Sequence, residues 1–284
     1  MDDAERSSIW SMESSIQPKY EEQFTAFIDF LGFSEASTGT DDSTRLKIRN
    51  LLLELSELRG EFDVQSTVQE TGKMHQYKPA ISTFSDNIVI SYPLRPISDV
   101  TGHNEHGTAV VVMFMFNRLL TRIAAAALRI GFLLRGGATI GKLYHSRGVV
   151  FGEALVEAYE IESRTAIYPR VVLSNKITSK GTWIENPVCI TKGYDGLFHF
   201  DYFTMLVHSA SMPGDNHAAN VKEWFEDISG IIDKNLREFE SKGELKKLAK
   251  WAWFAREFRS GLERLNSEVL NSFGVSLNAI PWPR

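Results

Sequence analysis

The chain has 284 residues, 43% of them hydrophobic, 24% charged and 11% aromatic, enough to bury roughly 70–75% of the unfolded surface and to exclude disorder for most of the length. Its 31 Lys and Arg against 36 Asp and Glu give a formal charge of −5, so it carries no global field for DNA or an anionic membrane. One cysteine, Cys189, excludes an internal disulfide framework and a cysteine-rich zinc site, and fits a cytoplasmic compartment.

The chain begins with the acidic MDDAERSS, and no apolar block precedes a small-residue cleavage site, so a secretory leader is not expected. Residues 1–20 are polar and are expected to form a flexible N-terminus. Residues 24–30 (FTAFIDF) predict a buried strand ended by Gly32. Residues 44–58 carry Leu, Lys, Arg and Glu at helical spacing, and residues 60–78 are polar and less regular. Residues 81–92 (ISTFSDNIVISY) predict two short strands about a turn at Ser85, Asp86 and Asn87. A loop over 94–105 leads into a long helix over 106–130. Its most apolar part, residues 109–116 (AVVVMFMF), is too short to span a bilayer, so no membrane insertion is expected.

Residues 135–143 (RGGATIGKL) predict a strand with permissive glycines, and residues 153–166 a helix with Leu155, Ala158, Ile161 and Thr165 on one face. Pro169 interrupts, and residues 170–173 start another strand. The order β-α-β-β-α-β-α-β predicts an α+β architecture, a largely antiparallel sheet backed by helices. Residues 196–207 (GLFHFDYFTMLV) suggest a further strand pair or buried edge, followed by helices over 218–239 and 244–265. The last of these carries Trp251, Trp253, Phe254 and Phe258 among basic residues, the pattern of an amphipathic packing or dimer helix.

Two carboxylates carry the chemistry. Asp29 lies inside an apolar strand, where burial is costly unless a cation or donor answers it, and Asp86 lies at a turn between strands. If the two strands are neighbours, both converge on one or two divalent ions. Hard oxygen ligands suit Mg²⁺ or Mn²⁺ and leave positions for substrate phosphates. The alternative is a strand-end Asp and a turn Asp without a metal. Gly136, Gly137 and Gly141 form no Walker or dinucleotide fingerprint and also suit strand bulges and helix packing. His75, His106, His145 and His199 show no zinc spacing, and Ser34 and Ser85 lack an identifiable histidine and acid for a hydrolase triad.

Residues 27–34 (FIDFLGFS), 84–91 (FSDNIVIS), 135–141 (RGGATIG) and 149–170 (VVFGEALVEAYEIESRTAIYPR) together resemble the class III nucleotidyl cyclase domain. Within that family the chain looks most like the bacterial pyrimidine cyclases of the Pycsar antiphage defence system. The resemblance covers residues 22–175, about half the chain. It implies a ferredoxin-like βαββαβ core over residues 21–175 and a strand and helical extension over residues 176–284, packed on the core. It also implies two metal ions, Mn²⁺ or Mg²⁺, held by Asp29, Asp86 and the Phe30 carbonyl, with amides from Leu31, Gly32, Phe33 and Ser34 meeting the phosphates. Catalysis is then expected at composite sites of a head-to-tail homodimer.

The departures from the family pattern are specific. The base-reading lysine position holds Ser82, and the second base-reading position holds Val149. Loss of both purine contacts is consistent with a smaller pyrimidine base. The family's Asn and Arg positions fall at Val156 and Glu160, leaving Arg135, Arg164 and Arg170 as candidates for a catalytic cation. The resemblance thus implies a uridylate cyclase that converts UTP to 3′,5′-cyclic UMP and pyrophosphate, or alternatively a cytidylate cyclase acting on CTP. A separate cyclic-nucleotide-activated effector would act downstream. Two other readings stay open: a metal-dependent phosphotransfer enzyme acting on a purine nucleotide, and a catalytically inactive cyclase-like binding or dimerisation module.

Overall fold

The computed structural model describes residues 20–39, 41–61, 64–67, 74–77, 79–94, 105–181, 189–210, 217–264 and 271. Strand β1 (Glu21–Leu31) is central. Its alternation puts Phe24, Ala26, Ile28 and Phe30 on the core face at 0–2% exposure, and Gln23, Thr25, Phe27 and Asp29 on the other. Strands β4 (Ala80–Phe84) and β5 (Asn87–Pro93) form a hairpin closed at Phe84 and Asn87. Ser85 takes the left-handed conformation in its turn, as a two-residue hairpin loop demands. β5 and β6 (Leu133–Ser146) flank β1, both antiparallel.

With helices α1 (Phe33–Thr38) and α2 (Asp42–Glu61) after β1, and α3 (Glu105–Leu128) after β5, the sequence is βαββαβ. The strand order β4-β5-β1-β6, numbering the motif's own strands from one to four, is 4-1-3-2 read from the other edge. That is the ferredoxin-like arrangement that the resemblance implies. Helix α3 covers the core face with Val112, Phe116, Leu119, Ile123 and Ala127, all at 0–1% exposure and spaced three or four apart. Phe24, Phe116 and Phe200 pack with ring centroids 4.6–6.0 Å apart, each pair adding about 0.5–1.5 kcal/mol beyond its buried area. The apolar run expected to be too short for a bilayer continues within this helix. Ala109–Leu128 is long and apolar enough to cross a membrane by length and composition, and here it serves as the core helix.

Strand β7 (Val149–Phe151) folds back on the end of β6, and α4 (Glu153–Arg164) packs over β1 and β6 on the Asp29 face. Strand β8 (Val171–Leu173) runs parallel to β6, and the sheet continues through β10 (Phe198–Phe200) to β9 (Ile190–Lys192), with the short helix α5 (Asn175–Thr178) between. Helices α6 (Tyr202–Ala210), α7 (His217–Ser241) and α8 (Leu245–Glu263) follow. Trp251, Trp253, Phe254 and Phe258 of α8 are all buried.

Two readings change. Only Phe198–Phe200 of the 196–207 segment is strand, because Asp201 caps a helix: its carboxylate accepts from the Thr204 amide at 3.1 Å and the Thr204 hydroxyl at 2.8 Å. The polar 60–78 segment contains an antiparallel pair, β2 (Val64–Thr67) and β3 (Met74–Tyr77). The flexible N-terminus expected over residues 1–20 and the loop over 94–105 lie almost wholly outside the described residues.

Candidate active site

The strand registers bring the two carboxylates together. Asp29 stands opposite Asn87 on β5 and opposite Arg135 on β6, and Asp86 immediately precedes Asn87. The Phe30 amide donates to the Asp86 carbonyl at 2.9 Å, locking the hairpin turn to the end of β1. The Asp86 carboxylate accepts from the Asn87 side-chain amide at 2.9 Å and the Ser34 hydroxyl at 3.4 Å. Both aspartates line one cleft of about 580 Å³, together with Phe30, Leu31, Gly32 and Ser34. Gly32 takes φ +98 as the chain turns from β1 into α1, a conformation that favours glycine.

Arg135 answers the buried charge on Asp29. Its Nη2 lies 3.1 Å from Asp29 Oδ2 and 2.5 Å from Glu162 Oε1, and the Glu162 side chain is only 5% exposed. Burial raises the pKa of both carboxyls, and the Arg135 charge opposes that rise; the charge of Asp86 pushes Asp29 up further. Asp29 and Asp86 are therefore close enough to repel. Their chemistry fits a cation: two carboxylates beside the Phe30 backbone carbonyl are hard oxygen donors of the type Mg²⁺ and Mn²⁺ prefer. Among the described residues no group of three or more His, Cys, Asp or Glu side chains is placed to hold a metal, so the donor set is limited to this pair and backbone oxygen.

The other predicted residues divide. The Phe33 side chain is buried and packs against Phe30 and Phe132, leaving its backbone alone available. Ser82 is 4% exposed, outside the cleft; its hydroxyl pairs with His145 Nε2 at 2.9 Å, while Ser91 engages Nδ1 at the same distance. Val149 is half-exposed on β7. Arg164 is exposed and pairs with Glu160 at 3.5 Å. Arg170 is 2% exposed, paired with Asp195 and set against the rings of Tyr168 and Trp253. Neither of these two arginines lines the cleft of its own chain, and burial with a bidentate carboxylate commits Arg170 to the fold.

Gly136 and Gly137 serve packing. A Cβ on Gly137 would lie 2.3 Å from the Ala158 carbonyl, and one on Gly136 would lie 2.6 Å from that of Phe27. Sequence reasoning missed Glu162, Lys250 and His145. Glu162 sat unremarked in the matched 149–170 segment, and the last helix, with its basic residues, was read only as an amphipathic packing or dimer helix.

No protein-family model and no curated protein matches the chain. Among solved structures it is similar to the catalytic core of a rhodopsin-guanylyl cyclase with converted specificity in complex with ATPalphaS, at 14% identity and TM-score 0.35, over 63% of this chain and 93% of that one. It is also similar to a class III adenylyl cyclase-like ATP-binding protein from Pseudomonas aeruginosa, at 12% identity and TM-score 0.32, over 55% of this chain and 34% of that one. A third neighbour is an adenylate/guanylate cyclase/hydrolase from Silicibacter pomeroyi, at 14% identity and TM-score 0.29, over 63% and 95% of the two chains. No function is carried across at this level of likeness.

Proposed function

We propose that the chain is a nucleotidyl cyclase of the class III type, acting on UTP, or alternatively CTP, to give the 3′,5′-cyclic monophosphate and pyrophosphate. The observation that carries this reading is the convergence of Asp29 and Asp86 on one cleft beside the Leu31–Gly32–Ser34 turn. Residues 21–175 form the catalytic core in this reading, and residues 176–284 the extension. Two divalent cations bound by Asp29, Asp86 and the Phe30 carbonyl would neutralise phosphate charge and favour ionisation of the ribose 3′-hydroxyl.

The chain's own residues do the positioning. The β1–β5 register fixes the separation of the carboxylates, Ser34 orients Asp86, and the Arg135 charge opposes the rise in pKa that burial imposes on Asp29. Alignment of the 3′-oxygen with the α-phosphorus supplies the entropic part of catalysis. The pyrimidine reading rests on Ser82 and Val149 in place of charged base contacts. Exposed Val149, Phe151, Val156 and Tyr159 on neighbouring β7 and α4 suit a homodimer contact. The cellular role follows the same resemblance: a cytoplasmic second-messenger source in antiphage defence, read by a separate effector.

One observation favours a second reading. Asp29 is already engaged by Arg135, so metal uptake must loosen that pair, as it need not in an inactive nucleotide-binding module. Incubation with ATP, GTP, CTP and UTP separately in Mn²⁺, with products identified by mass and retention time, decides between them. Cyclic UMP or cyclic CMP that disappears in Asp86→Ala supports the cyclase, and no product from any nucleotide supports the module.

A further inference from the structure

The cleft that holds Asp29 and Asp86 has a second wall, built by the C-terminal helices α7 and α8. Three lysines of that wall, Lys242, Lys247 and Lys250, line the cleft, and they are not equivalent. Lys242 Nζ lies 2.6 Å from Glu238. Lys247 Nζ lies 2.5 Å from Glu244 on its own segment and 2.5 Å from Glu35 on α1. The Glu35 contact ties α8 to the helix that follows the Gly32 turn. Lys250, one turn further along α8, is half-buried and has no ion pair among the described residues.

The charges around Lys250 define what it can bind. Arg135, Asp29 and Glu162 all lie within electrostatic reach. Arg135 is the cation that those two carboxylates contact, and Lys250 makes no ion pair with either. A half-buried ammonium beside a guanidinium is costly unless an anion answers it. The motif positions Val156 and Glu160 supply no cation, and Arg164 and Arg170 do not line this cleft.

We propose that Lys250 is a polyphosphate-binding residue, through which the α7–α8 hairpin supplies, from within the same chain, the cation that meets the β- and γ-phosphates of a nucleoside triphosphate beside Asp29 and Asp86. This rests on the cyclase reading and adds the leaving-group side of the site. In the reaction the ribose 3′-oxygen forms its bond to the α-phosphorus, the bond from that phosphorus to the bridging oxygen breaks, the hydroxyl proton passes to water, and pyrophosphate leaves against Lys250. A charged hydrogen bond to phosphate is strong because both partners are ionised.

The test uses the full chain and Lys250→Met, which keeps the aliphatic stem, with Lys250→Arg as the charge-conserving variant and Lys222→Ala as a control of equal charge change outside the cleft. Binding of inorganic tripolyphosphate in Mn²⁺ is measured by calorimetry, kcat and KM are measured with UTP and CTP, and thermal unfolding reports folding. Lys250→Met is expected to weaken tripolyphosphate binding and raise KM by about tenfold to a hundredfold. Lys250→Arg retains most of the affinity, and Lys222→Ala matches the parent. If the parent cyclises a nucleotide and Lys250→Met binds tripolyphosphate as the parent does, the proposal is overturned and the cyclase reading stands. If no nucleotide is cyclised but tripolyphosphate binds in a Lys250-dependent way, the cyclase reading fails and the phosphate wall stands. Should Lys250→Met not fold, a folded Lys250→Arg with parental affinity supports the proposal, and one with affinity lost while unfolding is unchanged overturns it.

Discussion

Arg135 faces Asp29 across the β1–β6 ladder and places Nη2 3.1 Å from its carboxylate, while the same nitrogen lies 2.5 Å from Glu162 of α4. One guanidinium thus joins the central strand to the helix packed on it. Removing the cation leaves two desolvated carboxylates facing each other, so Arg135→Ala is expected to cost about 3–5 kcal/mol at neutral pH, read by urea unfolding. Both carboxyls already titrate above their ordinary values because of burial, and loss of Arg135 raises them further. A raised carboxyl pKa makes the folded state bind protons more readily, so stability falls as pH rises through that range. The deficit of Arg135→Ala is therefore expected to shrink as the pH is lowered from 7 into the carboxylate range.

Two glycines give predictions of opposite sign. A Cβ at Gly137 meets the Ala158 carbonyl at 2.3 Å and Ile161 Cβ at 2.6 Å, and backbone cannot give way. Gly137→Ala is expected to destabilise by about 1–3 kcal/mol or more through overpacking. Gly230 lies within α7 with nothing within 4 Å of its added Cβ. Gly230→Ala is expected to stabilise by roughly 0.5–1 kcal/mol through helix propensity. Thermal unfolding of the two variants checks both signs.

The element order was legible because periodicity is local: alternation around residues 24–30 and the turn formers at 85–87 sufficed to mark the strands that carry Asp29 and Asp86, whereas the ferredoxin-like topology was implied by the motif resemblance. The partnership of Arg135 with Asp29 and Glu162 was not legible, since it depends on a ladder register that joins Asp29 to Arg135, 106 residues away, and on the packing of α4, which brings in Glu162. Lys250 was out of reach for the same reason. Its place at the cleft follows from how the C-terminal hairpin docks, and nothing in its local sequence separates it from the solvated lysines beside it. The helix at Tyr202 was missed although its signal was present, because Asp201 with Thr204 is a capping pattern inside a segment rich in strand formers.

His199 makes the fold acid-sensitive. It is 1% exposed, and burial holds its pKa down to about 4 from an ordinary value of 6.5. The unfolded chain binds this proton first, so the stability contributed is complete above about pH 6.5 and is lost as pH falls toward 4. The gap corresponds to about 3 kcal/mol. Urea unfolding between pH 7.5 and 4.5 is expected to show a steeper loss for the parent than for His199→Gln, and equal slopes would remove the histidine from the account.

If two chains complete each other's sites, subunit mixing reports which residues belong to which chain. Asp29, Asp86 and Lys250 line one cleft within a single chain, whereas Arg164 is exposed on α4, which also exposes Val156 and Tyr159, and among the described residues is held only by an exposed ion pair with Glu160. Asp29→Ala mixed with Arg164→Ala then yields heterodimers with one intact site, recovering about a quarter of parental turnover at statistical mixing. Asp29→Ala mixed with Lys250→Met shows no turnover beyond what the Lys250→Met chains retain, because each heterodimer site carries one lesion. Val156→Lys is expected to shift the chain toward monomer in sedimentation experiments, through an unpaired charge on the contact, and to abolish recovery in the first mixture. Recovery in the second mixture and not the first would place Lys250 across the dimer and Arg164 outside the site.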